Sequence, residues 1–482
     1  METDDDIRYR AVQSRDPRFD GRFFTAVRTT GIYCRPVCPA VTPRRKNVTF
    51  YACAAAAEQA GFRPCKRCRP EASPGTPAWL GTSATVSRAV RCIAEGALDD
   101  GSVEDLAARL GLGPRQLTRL CERHLGTTPV RLAQTRRVHF ARGLVEHSPL
   151  SLAQVALASG FGSLRRFNTL MKATYGCAPR ELRRRNMPAV AAAASTDDAL
   201  ATLTCRLAYR APYDWPQLAR FLRGRAIPGV EVADDDHYAR TLALPGGRAG
   251  FLRVAPGAGD WLDLELRLPE LPGAIVLVAR ARRMFDCGAD PAAIAEHLAR
   301  DAALKPLVRR RPGLRLPSAF DPFELGVRAI VGQQVTVKAA TTVTGRVVTR
   351  CGRPLEQPRG ALTHLFPAPA VLAAADLEGL GLTTTRARTL RTFARAVADG
   401  TLQLDTPQGP DAFAARMRAL PGIGPWTAQY VALRAFGEPD AFPLGDLGLK
   451  HALPGVDLAA RSEAWSPWRG YAALHLWASL EA

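Results

Sequence analysis

Four cysteines in two close pairs are the residues of this sequence best suited to chemistry. Cys34 and Cys38 form a C-x3-C pair, and Cys65 and Cys68 form a C-x2-C pair. Two such pairs supply the four thiolates of a tetrahedral Zn²⁺ site. The basic residues around them are Arg35, Arg44, Arg45, Lys46, Arg63, Lys66, Arg67 and Arg69. This charge around a metal favours a polyanionic partner, and nucleic acid is the first candidate.

The spacing of the cysteines leaves two roles open for the zinc site. Closed sites of four cysteines are usually structural, and spacing alone favours that interpretation. A catalytic role is also sound, because Zn²⁺ deprotonates a bound thiol and four thiolates leave the cluster with excess negative charge. One thiolate of such a cluster can then act as a nucleophile.

The sequence around the cysteines favours the catalytic role. The informative segments are Val-Arg-Thr-Thr-Gly-Ile-Tyr-Cys-Arg-Pro-Val-Cys at 27–38, Asn-Val-Thr-Phe-Tyr at 47–51 and Gly-Phe-Arg-Pro-Cys-Lys-Arg-Cys-Arg-Pro at 61–70. They resemble the amino-terminal domain of the Ada family of bacterial adaptive-response proteins. The resemblance implies that Cys34 irreversibly accepts the methyl group of a DNA methyl phosphotriester, while the other three cysteines complete the zinc shell. The methylated domain would then bind DNA more tightly, and its expected DNA contacts are Arg63 and Arg67.

Length and charge indicate an intracellular, multidomain protein that acts on DNA. The chain has 482 residues, enough for about three or four domains, and a formal net charge of +20. Residues 1–187 hold 31 Lys and Arg against 16 Asp and Glu, so the front part carries most of the positive charge. The acidic start differs from a signal peptide, and no long uncharged apolar run follows, so no membrane partner is expected. The scattered remaining cysteines favour the reducing cytoplasm.

Residues 80–187 contain two helix-turn-helix patterns. In the first, Gly111 takes the turn, and Ser102 with Asp105 forms a helix N-cap pair. In the second, Gly160 takes the turn and Ser163 caps the next helix. The pair, with the tail that follows, resembles an AraC-type DNA-binding domain. Such a domain places two recognition helices in successive major grooves of DNA.

Seven polar residues are the candidates for DNA contact on these helices. They are Arg115, Gln116 and Arg119 on the first and Arg165, Arg166, Asn168 and Lys172 on the second. Arginine, asparagine and glutamine can read base edges, whereas lysine more often contacts phosphate. The alternative for each is an ordinary solvated helix face.

The pattern changes near residue 199. Strict alternation at 261–268 predicts a strand with one buried face, and further strands are expected at 201–209, 237–244 and 248–255, with a helix at 216–226. Beyond residue 286 the pattern is helical. The sequence thus predicts a multidomain α+β protein. Its parts are a zinc-binding α+β module (1–77), an all-α AraC-type double helix-turn-helix (80–187), a linker (188–198), a small antiparallel α+β subdomain (199–285) and an all-α helix-hairpin-helix core (286–482).

Residues 420–428, Leu-Pro-Gly-Ile-Gly-Pro-Trp-Thr-Ala, form the second informative motif. Gly422 and Gly424 permit positive φ and close approach between helices expected at about 411–419 and 425–436. Pro425 suits the first position of the second helix. Exposed N–H groups at that helix start can bind a DNA phosphate, and the expected contacts are Gly422, Gly424 and Thr427. This is the pattern of a helix-hairpin-helix, although a glycine-rich turn without a ligand would look similar.

Asp446 lies a short loop beyond that hairpin. Taken alone, it is read equally well as the N-cap of a helix beginning at Leu447, and Asp440 is its nearest rival as a catalytic carboxylate. Residues 199–482 resemble the AlkA-type alkylbase DNA glycosylases almost throughout. The matching segments are 213–215, 237–240, 311–317, 326–333 and 467–477. The resemblance implies that Asp446 is the catalytic residue of a helix-hairpin-helix glycosylase.

The same resemblance implies excision of alkylated purines of the 3-methyladenine type. A carboxylate can stabilise oxocarbenium character at C1′, orient water, or do both, once the damaged base has been flipped out of the duplex. Aromatic faces would hold a cationic base, and Trp426, Tyr430 and Trp477 are the candidates, each with core packing as its alternative. Trp426 stands where relatives that cut the DNA backbone carry a Schiff-base lysine, so a monofunctional enzyme is expected.

Two further features qualify the resemblance. No cysteine follows Cys351, so the iron–sulfur loop of some relatives is missing. Gln334 stands where AlkA-type enzymes have an apolar residue that wedges into DNA, which leaves the wedge unassigned.

The sequence therefore predicts an alkylation-response protein that senses methyl phosphotriesters through Cys34, regulates transcription and excises alkylated bases through Asp446. The expected partner is double-stranded DNA, both alkylated DNA and promoter DNA, and RNA polymerase is a further candidate. The chain is expected to be a monomer. Two alternatives remain open. The chain could be a regulator whose glycosylase half only binds DNA, or a repair enzyme whose front half only recruits it to DNA.

Overall fold

The computed structural model describes residues 3–74, 84–186, 200–405 and 408–480. These residues form two units, one comprising Met1–Arg210, Gly257–Arg282 and Cys287–Asp290, the other Ala211–Pro256, Arg283–Asp286 and Pro291–Ala482. The predicted linker at 188–198 and the end of the predicted zinc module, residues 75–77, lie outside the described residues. The domain bounds given above stay predictions. None of the described helices is long and apolar enough to cross a membrane.

A four-stranded sheet organises the zinc module. Its elements are α1 (Asp4–Ser14), β1 (Phe24–Val27), β2 (Ile32–Cys34), β3 (Val48–Tyr51), α2 (Ala54–Gln59) and β4 (Arg63–Pro64), and the strand order is β3-β1-β2-β4. Strand β2 pairs with β4 in parallel, so Ile32 lies opposite Arg63 and Tyr33 lies opposite Pro64. Because Cys34 ends β2 and Cys65 follows β4, this pairing brings the two cysteine pairs together.

Seven helices follow in the same unit. They are α3 (Ala84–Ala94), α4 (Val103–Arg109), α5 (Pro114–Leu125), α6 (Pro129–His147), α7 (Leu152–Ala158), α8 (Leu164–Tyr175) and α9 (Pro179–Asn186). Both predicted turns are present, since Gly111 has φ 71° and Gly160 has φ 75°. Ser102 and Asp105 cap α4 reciprocally, and Ser163 accepts the backbone N–H of Arg166 at the start of α8. These local signals set the two helix-turn-helix pairs where the sequence predicts them.

The next elements form the α+β part. They are β5 (Ala201–Ala208), α10 (Trp215–Arg223), β6 (Glu231–Ala233), β7 (Tyr238–Ala243), β8 (Ala249–Pro256), β9 (Trp261–Leu268) and α11 (Ala274–Met284). In the first unit β5 pairs antiparallel with β9 along its whole length, and in the second β7 pairs antiparallel with both β6 and β8. Leu262, Leu264, Leu266 and Leu268 are buried, as the alternation predicts. The short β6 was not predicted.

The rest of the second unit is mostly helical. Its elements are α12 (Pro291–Leu298), α13 (Leu304–Arg310), α14 (Pro322–Val331), α15 (Val337–Cys351), β10 (Arg353–Arg359), β11 (Leu362–Leu365), α16 (Pro369–Ala374), α17 (Thr384–Ala398), α18 (Pro410–Arg418), α19 (Pro425–Phe436), α20 (Leu447–Ala452), α21 (Leu458–Glu463) and α22 (Arg469–Leu480). The β10–β11 hairpin corrects the prediction of continuous helix. Pro354 and Pro358 lack the N–H that a helix needs, and Gly360 turns the chain with φ 59°.

Candidate functional sites

The four cysteines of the array form one cluster. The sulfur atoms of Cys34, Cys38, Cys65 and Cys68 all lie within 4.8 Å of one another. A tetrahedral Zn²⁺ with Zn–S bonds of about 2.3 Å needs sulfur atoms about 3.8 Å apart, so the cluster fits zinc without rearrangement of the fold. Cys65 and Cys68 are buried, whereas Cys34 and Cys38 are half-buried. The backbone N–H of Arg35 donates to Cys68 Sγ at 3.3 Å, which ties the last ligand to the first pair.

A cleft of about 560 Å³ lies beside this cluster. Cys34, Cys38 and Cys65 line it, but Cys68 does not. The predicted DNA contacts Arg63 and Arg67 line it as well and are exposed to solvent. The cleft therefore joins a thiolate cluster to cationic side chains, which suits an anionic ligand that must meet sulfur.

A half-buried polar cluster joins the zinc module to helix α6. The Tyr33 hydroxyl, on the residue before Cys34, donates to Glu58 Oε1 at 2.9 Å, and the Thr135 hydroxyl donates to Glu58 Oε2 at 2.7 Å. His139 Nε2 lies 2.9 Å from Glu58 Oε1. Burial opposes charge on both groups, but the charge of each favours that of the other, so the pKa of His139 is raised and that of Glu58 is lowered.

This pair makes stability depend on pH. Because the folded pKa of His139 lies above its usual value, its contribution is fully present below the unfolded pKa of about 6.5 and is lost as pH rises through the folded pKa. The free energy of unfolding of wild type should therefore fall as pH rises above about 6.5, and His139→Gln should lose part of that dependence. Urea titrations across this range test the prediction. His124→Gln on α5 is the control, and an unchanged slope in His139→Gln would contradict it.

All seven predicted contact residues on the helix-turn-helix pairs are exposed. They are Arg115, Gln116 and Arg119 on α5 and Arg165, Arg166, Asn168 and Lys172 on α8. The opposite faces of these helices are buried through residues such as Leu117 and Phe167. Each helix therefore presents a polar, mostly cationic face to solvent, as a recognition helix requires.

In the second unit, Asp446 receives three N–H donors. Its Oδ1 accepts the indole Nε1–H of Trp477 at 2.9 Å and the backbone N–H of Leu449 at 3.0 Å. Its Oδ2 accepts the indole Nε1–H of Trp426 at 2.9 Å. The side chain therefore caps α20, as one of the two sequence readings predicts, and also contacts two of the predicted aromatic residues. Oδ2 keeps the larger unused capacity to interact with a ligand.

The three predicted aromatic residues converge on that carboxylate. Trp426 and Tyr430 stack with ring centroids 5.1 Å apart, and Tyr430 meets Trp477 edge-on at 6.4 Å. The Tyr430 hydroxyl accepts a hydrogen bond from Arg434 at 3.1 Å. Burial alone would raise the pKa of Tyr430, but the charges of nearby arginines, led by Arg434, lower it. The indoles of α19 and α22 therefore reach Asp446, with Tyr430 packed between them.

Asp440, the rival carboxylate, is held elsewhere. It accepts two hydrogen bonds from Arg469, at 2.8 Å and 3.0 Å, and one from the Ser466 hydroxyl at 3.0 Å. This ion pair lies at the start of α22. Of the two carboxylates, Asp446 is the one that accepts hydrogen bonds from the predicted aromatic residues.

The hairpin between α18 and α19 confirms one predicted glycine role and corrects another. Gly422 has φ 84°, and a Cβ there would lie 2.0 Å from Thr389 Oγ1, so both positive φ and close approach require glycine. Gly424 instead has φ −85°, because it is the extended N-cap of α19, and nothing lies within 4 Å of its Cβ position. Pro425 takes the first helical position, as predicted.

Thr427 does not have the environment expected of a DNA contact. Its side chain is buried, and its hydroxyl accepts a hydrogen bond from Gln333 Nε2 at 3.1 Å. The same amide donates to the carbonyl of Gly422 at 3.1 Å, so Gln333 holds the hairpin from the loop after α14. The sequence alone indicated no role for Gln333, although this residue ends the segment 326–333 that resembles the AlkA-type glycosylases. Beside it, Gln334 is exposed with φ 56°.

Comparisons with known proteins match the regions that contain these residues. Four family models match: the metal binding domain of Ada at 7–71, a helix-turn-helix domain at 106–185, the AlkA N-terminal domain at 204–321 and the HhH-GPD superfamily base excision DNA repair protein at 327–464. The Ada match and the cysteine cluster together identify Zn²⁺ as the cofactor.

Three curated relatives span these regions. The "probable bifunctional transcriptional activator/DNA repair enzyme AlkA" of Mycobacterium tuberculosis is 43% identical over 98% of this chain and 96% of its own length. DNA-3-methyladenine glycosylase 2 of Escherichia coli is 37% identical over 56% of this chain and 95% of its length. The E. coli bifunctional transcriptional activator/DNA repair enzyme Ada is 43% identical over 26% of this chain and 34% of its length. The chain therefore belongs to the family of fusion proteins that join an Ada-type zinc and helix-turn-helix regulator to an AlkA-type DNA glycosylase.

Proposed function

We propose that this protein excises alkylated purines from DNA and also senses methyl phosphotriesters through its zinc cluster. The observation that carries the first activity is the placement of Asp446 against two indoles, with Oδ2 the less occupied oxygen. A fixed carboxylate in a partly buried aromatic site stabilises positive charge more strongly than the same group in water.

The reaction follows from that geometry. As the bond from C1′ to the base nitrogen breaks, its electron pair leaves with the base and positive charge builds at C1′. Asp446 stabilises that charge, and water adds at C1′ and loses a proton. An N-alkylated purine leaves readily because it already carries positive charge. Trp426 replaces the lysine that a backbone-cutting relative would use, which supports simple hydrolysis.

The aromatic residues suit the damaged base. Indole faces attract a cationic, electron-poor ring by stacking and cation–π interaction, worth about 1–2 kcal/mol when the cation is partly desolvated. The structure packs Trp426 and Tyr430 face to face, so a flipped base enters beside this stack, towards Asp446. These aromatic residues would select the base after flipping, while Gln333 holds the hairpin that would bind the DNA backbone.

The second activity belongs to Cys34. Zinc supplies the negative thiolate character of the cluster. The sulfur of Cys34 attacks the methyl carbon of a phosphotriester, an S–C bond forms, and the O–C bond breaks with its electrons on a phosphodiester oxygen. The half-buried state of Cys34 and its place in the cationic cleft support this role. Exposure alone would also admit Cys38, and the Ada resemblance favours Cys34.

The regulatory output would come from the two recognition helices. Loss of one negative charge at the zinc cluster strengthens binding to phosphate, so methylation turns damage into tighter promoter binding. We propose promoter DNA and RNA polymerase as partners of this state, with the chain acting as a monomer in the cytoplasm. A regulator without catalysis is the alternative function.

Release of free bases from methylated duplex DNA tests the proposal against that alternative. Wild type should release 3-methyladenine under single-turnover conditions and leave abasic sites without strand cleavage. No release by folded, zinc-loaded wild type would instead support the regulator alone. Strand cleavage before any alkaline treatment would exclude simple hydrolysis.

Substitution of Arg165, an exposed residue on helix α8, tests the role of the helix-turn-helix region. Arg165→Ala should weaken promoter binding by about 1–3 kcal/mol if Arg165 reads a base, and should relax the preference at one base pair. If Arg165 contacts phosphate, binding should weaken about equally on all sequences, with a smaller salt dependence. Gel-shift titrations at two salt concentrations separate these cases, with Arg123→Ala near the end of α5 as the control. Unchanged binding would exclude Arg165 from the interface.

A further inference from the structure

Gly448 stands inside the carboxylate site, two residues after Asp446. A Cβ on it would lie 3.0 Å from Asp446 Oδ1, 3.1 Å from Trp477 Cδ1 and 3.3 Å from Trp477 Nε1. Its φ is not in the left-handed region, so the backbone conformation admits any residue. A larger residue at 448 would therefore disturb the contact between the side chains of Asp446 and Trp477.

We propose that Gly448 is a positioning residue of the glycosylase site, an inference that rests on the proposed function. Because Gly448 has no side chain, Trp477 Nε1 can approach Asp446 Oδ1 to 2.9 Å. That hydrogen bond and the Leu449 N–H occupy Oδ1, which fixes the carboxylate plane and leaves Oδ2 towards the reacting carbon. A methyl group at 448 would force the indole or the carboxylate aside by a few tenths of an ångström.

Local stability gives no reason for glycine at this position. Gly448 is the second residue of α20, and alanine is a better helix former than glycine. A residue that weakens its own helix and clears space beside a reactive carboxylate indicates a requirement of the site.

The test is Gly448→Ala in the full chain, assayed by single-turnover release of 3-methyladenine. We expect release at saturating enzyme to slow about two- to fourfold, because misplacing a catalytic group by 1 Å can cost about 10²-fold and the displacement here is a few tenths of that. Binding to undamaged duplex should change less than about twofold, because the hairpin is untouched. The melting temperature should be equal or higher.

Two comparisons complete the experiment. Gly143→Ala is the matched control, because Gly143 lies inside helix α6 and nothing lies within 4 Å of its Cβ position; release should stay at the wild-type rate. Trp477→Phe removes the indole N–H. If Gly448 acts through Trp477, Trp477→Phe should slow wild type but add little in the Gly448→Ala background.

Each other outcome overturns the inference. Wild-type release by Gly448→Ala would show that the site tolerates the methyl group. Additive effects of the two substitutions would show that Gly448 does not act through Trp477, and a lowered melting temperature would assign the glycine to folding. Absence of release by wild type would overturn the proposed function itself, and is recognised before any variant is made.

Discussion

Asp446→Asn should slow the single-turnover release of alkylated purines by about 10²- to 10³-fold. The substitution keeps the size of the side chain but removes the negative charge that opposes the charge at C1′. It also turns one acceptor into a donor. In wild type all three partners of the carboxylate are N–H groups, so an amide nitrogen would face at least one of them without a hydrogen bond.

Chromatographic detection of free bases from methylated duplex DNA measures this loss. Asp440→Asn is the matched control, because Asp440 is bound to Arg469 and Ser466 outside the aromatic site. That control should release bases at close to the wild-type rate. Retained activity in a folded Asp446→Asn protein would remove Asp446 from the mechanism and bring Asp440 back as a candidate.

Wild type should take up one methyl group per chain from methyl phosphotriester DNA, and Cys34→Ser should take up none. The hydroxyl of serine is a far weaker nucleophile than a zinc-bound thiolate. We therefore expect no methyl transfer on the time scale of the wild-type reaction. Transfer of labelled methyl groups to protein measures the effect. Cys351→Ser is the matched control, because Cys351 ends α15 far along the chain from the cluster.

Loss of transfer in Cys34→Ser alone does not separate the acceptor from a ligand whose removal disturbs the metal. Peptide mass spectrometry of the methylated wild type gives that separation, and should place the methyl group on Cys34. A methyl group on Cys38, the other half-exposed ligand, would contradict the assignment. A chain that gains no methyl group while its zinc content is full would leave the cluster with a structural role only.

Much of the fold was predictable because its signals are local. The Ser102 and Asp105 capping box and the Gly111 turn are set by a few neighbouring residues, and both are present. The alternating leucines of β9 likewise follow from one buried face. The β10–β11 hairpin was missed because helix propensity on either side outweighed two prolines. The Glu58–His139 pair was missed because its members lie 81 residues apart.

The cluster of Asp446, Trp426 and Trp477 was not predictable in its arrangement. Sequence left Asp446 open between an N-cap and a catalytic group, and the structure shows the N-cap together with hydrogen bonds from two indoles. The arrangement depends on tertiary contacts. Trp426 and Trp477 both donate to Asp446, although they are separated from it by 20 and 31 residues in sequence. Gly424 was assigned positive φ because two glycines in a hairpin look alike in sequence, and the structure separates them into a turn residue and an N-cap.

The parallel pairing of β2 with β4 has a consequence for how this sequence can vary among relatives. Cys34 and Cys65 both follow directly from paired residues, and a shift of one residue in a strand turns every side chain to the other face. Insertions or deletions within residues 32–34 or 63–65 should therefore destroy the metal site. Residues 39–47, between the second cysteine and Val48, carry no such restriction, so natural length variation of the array should concentrate there.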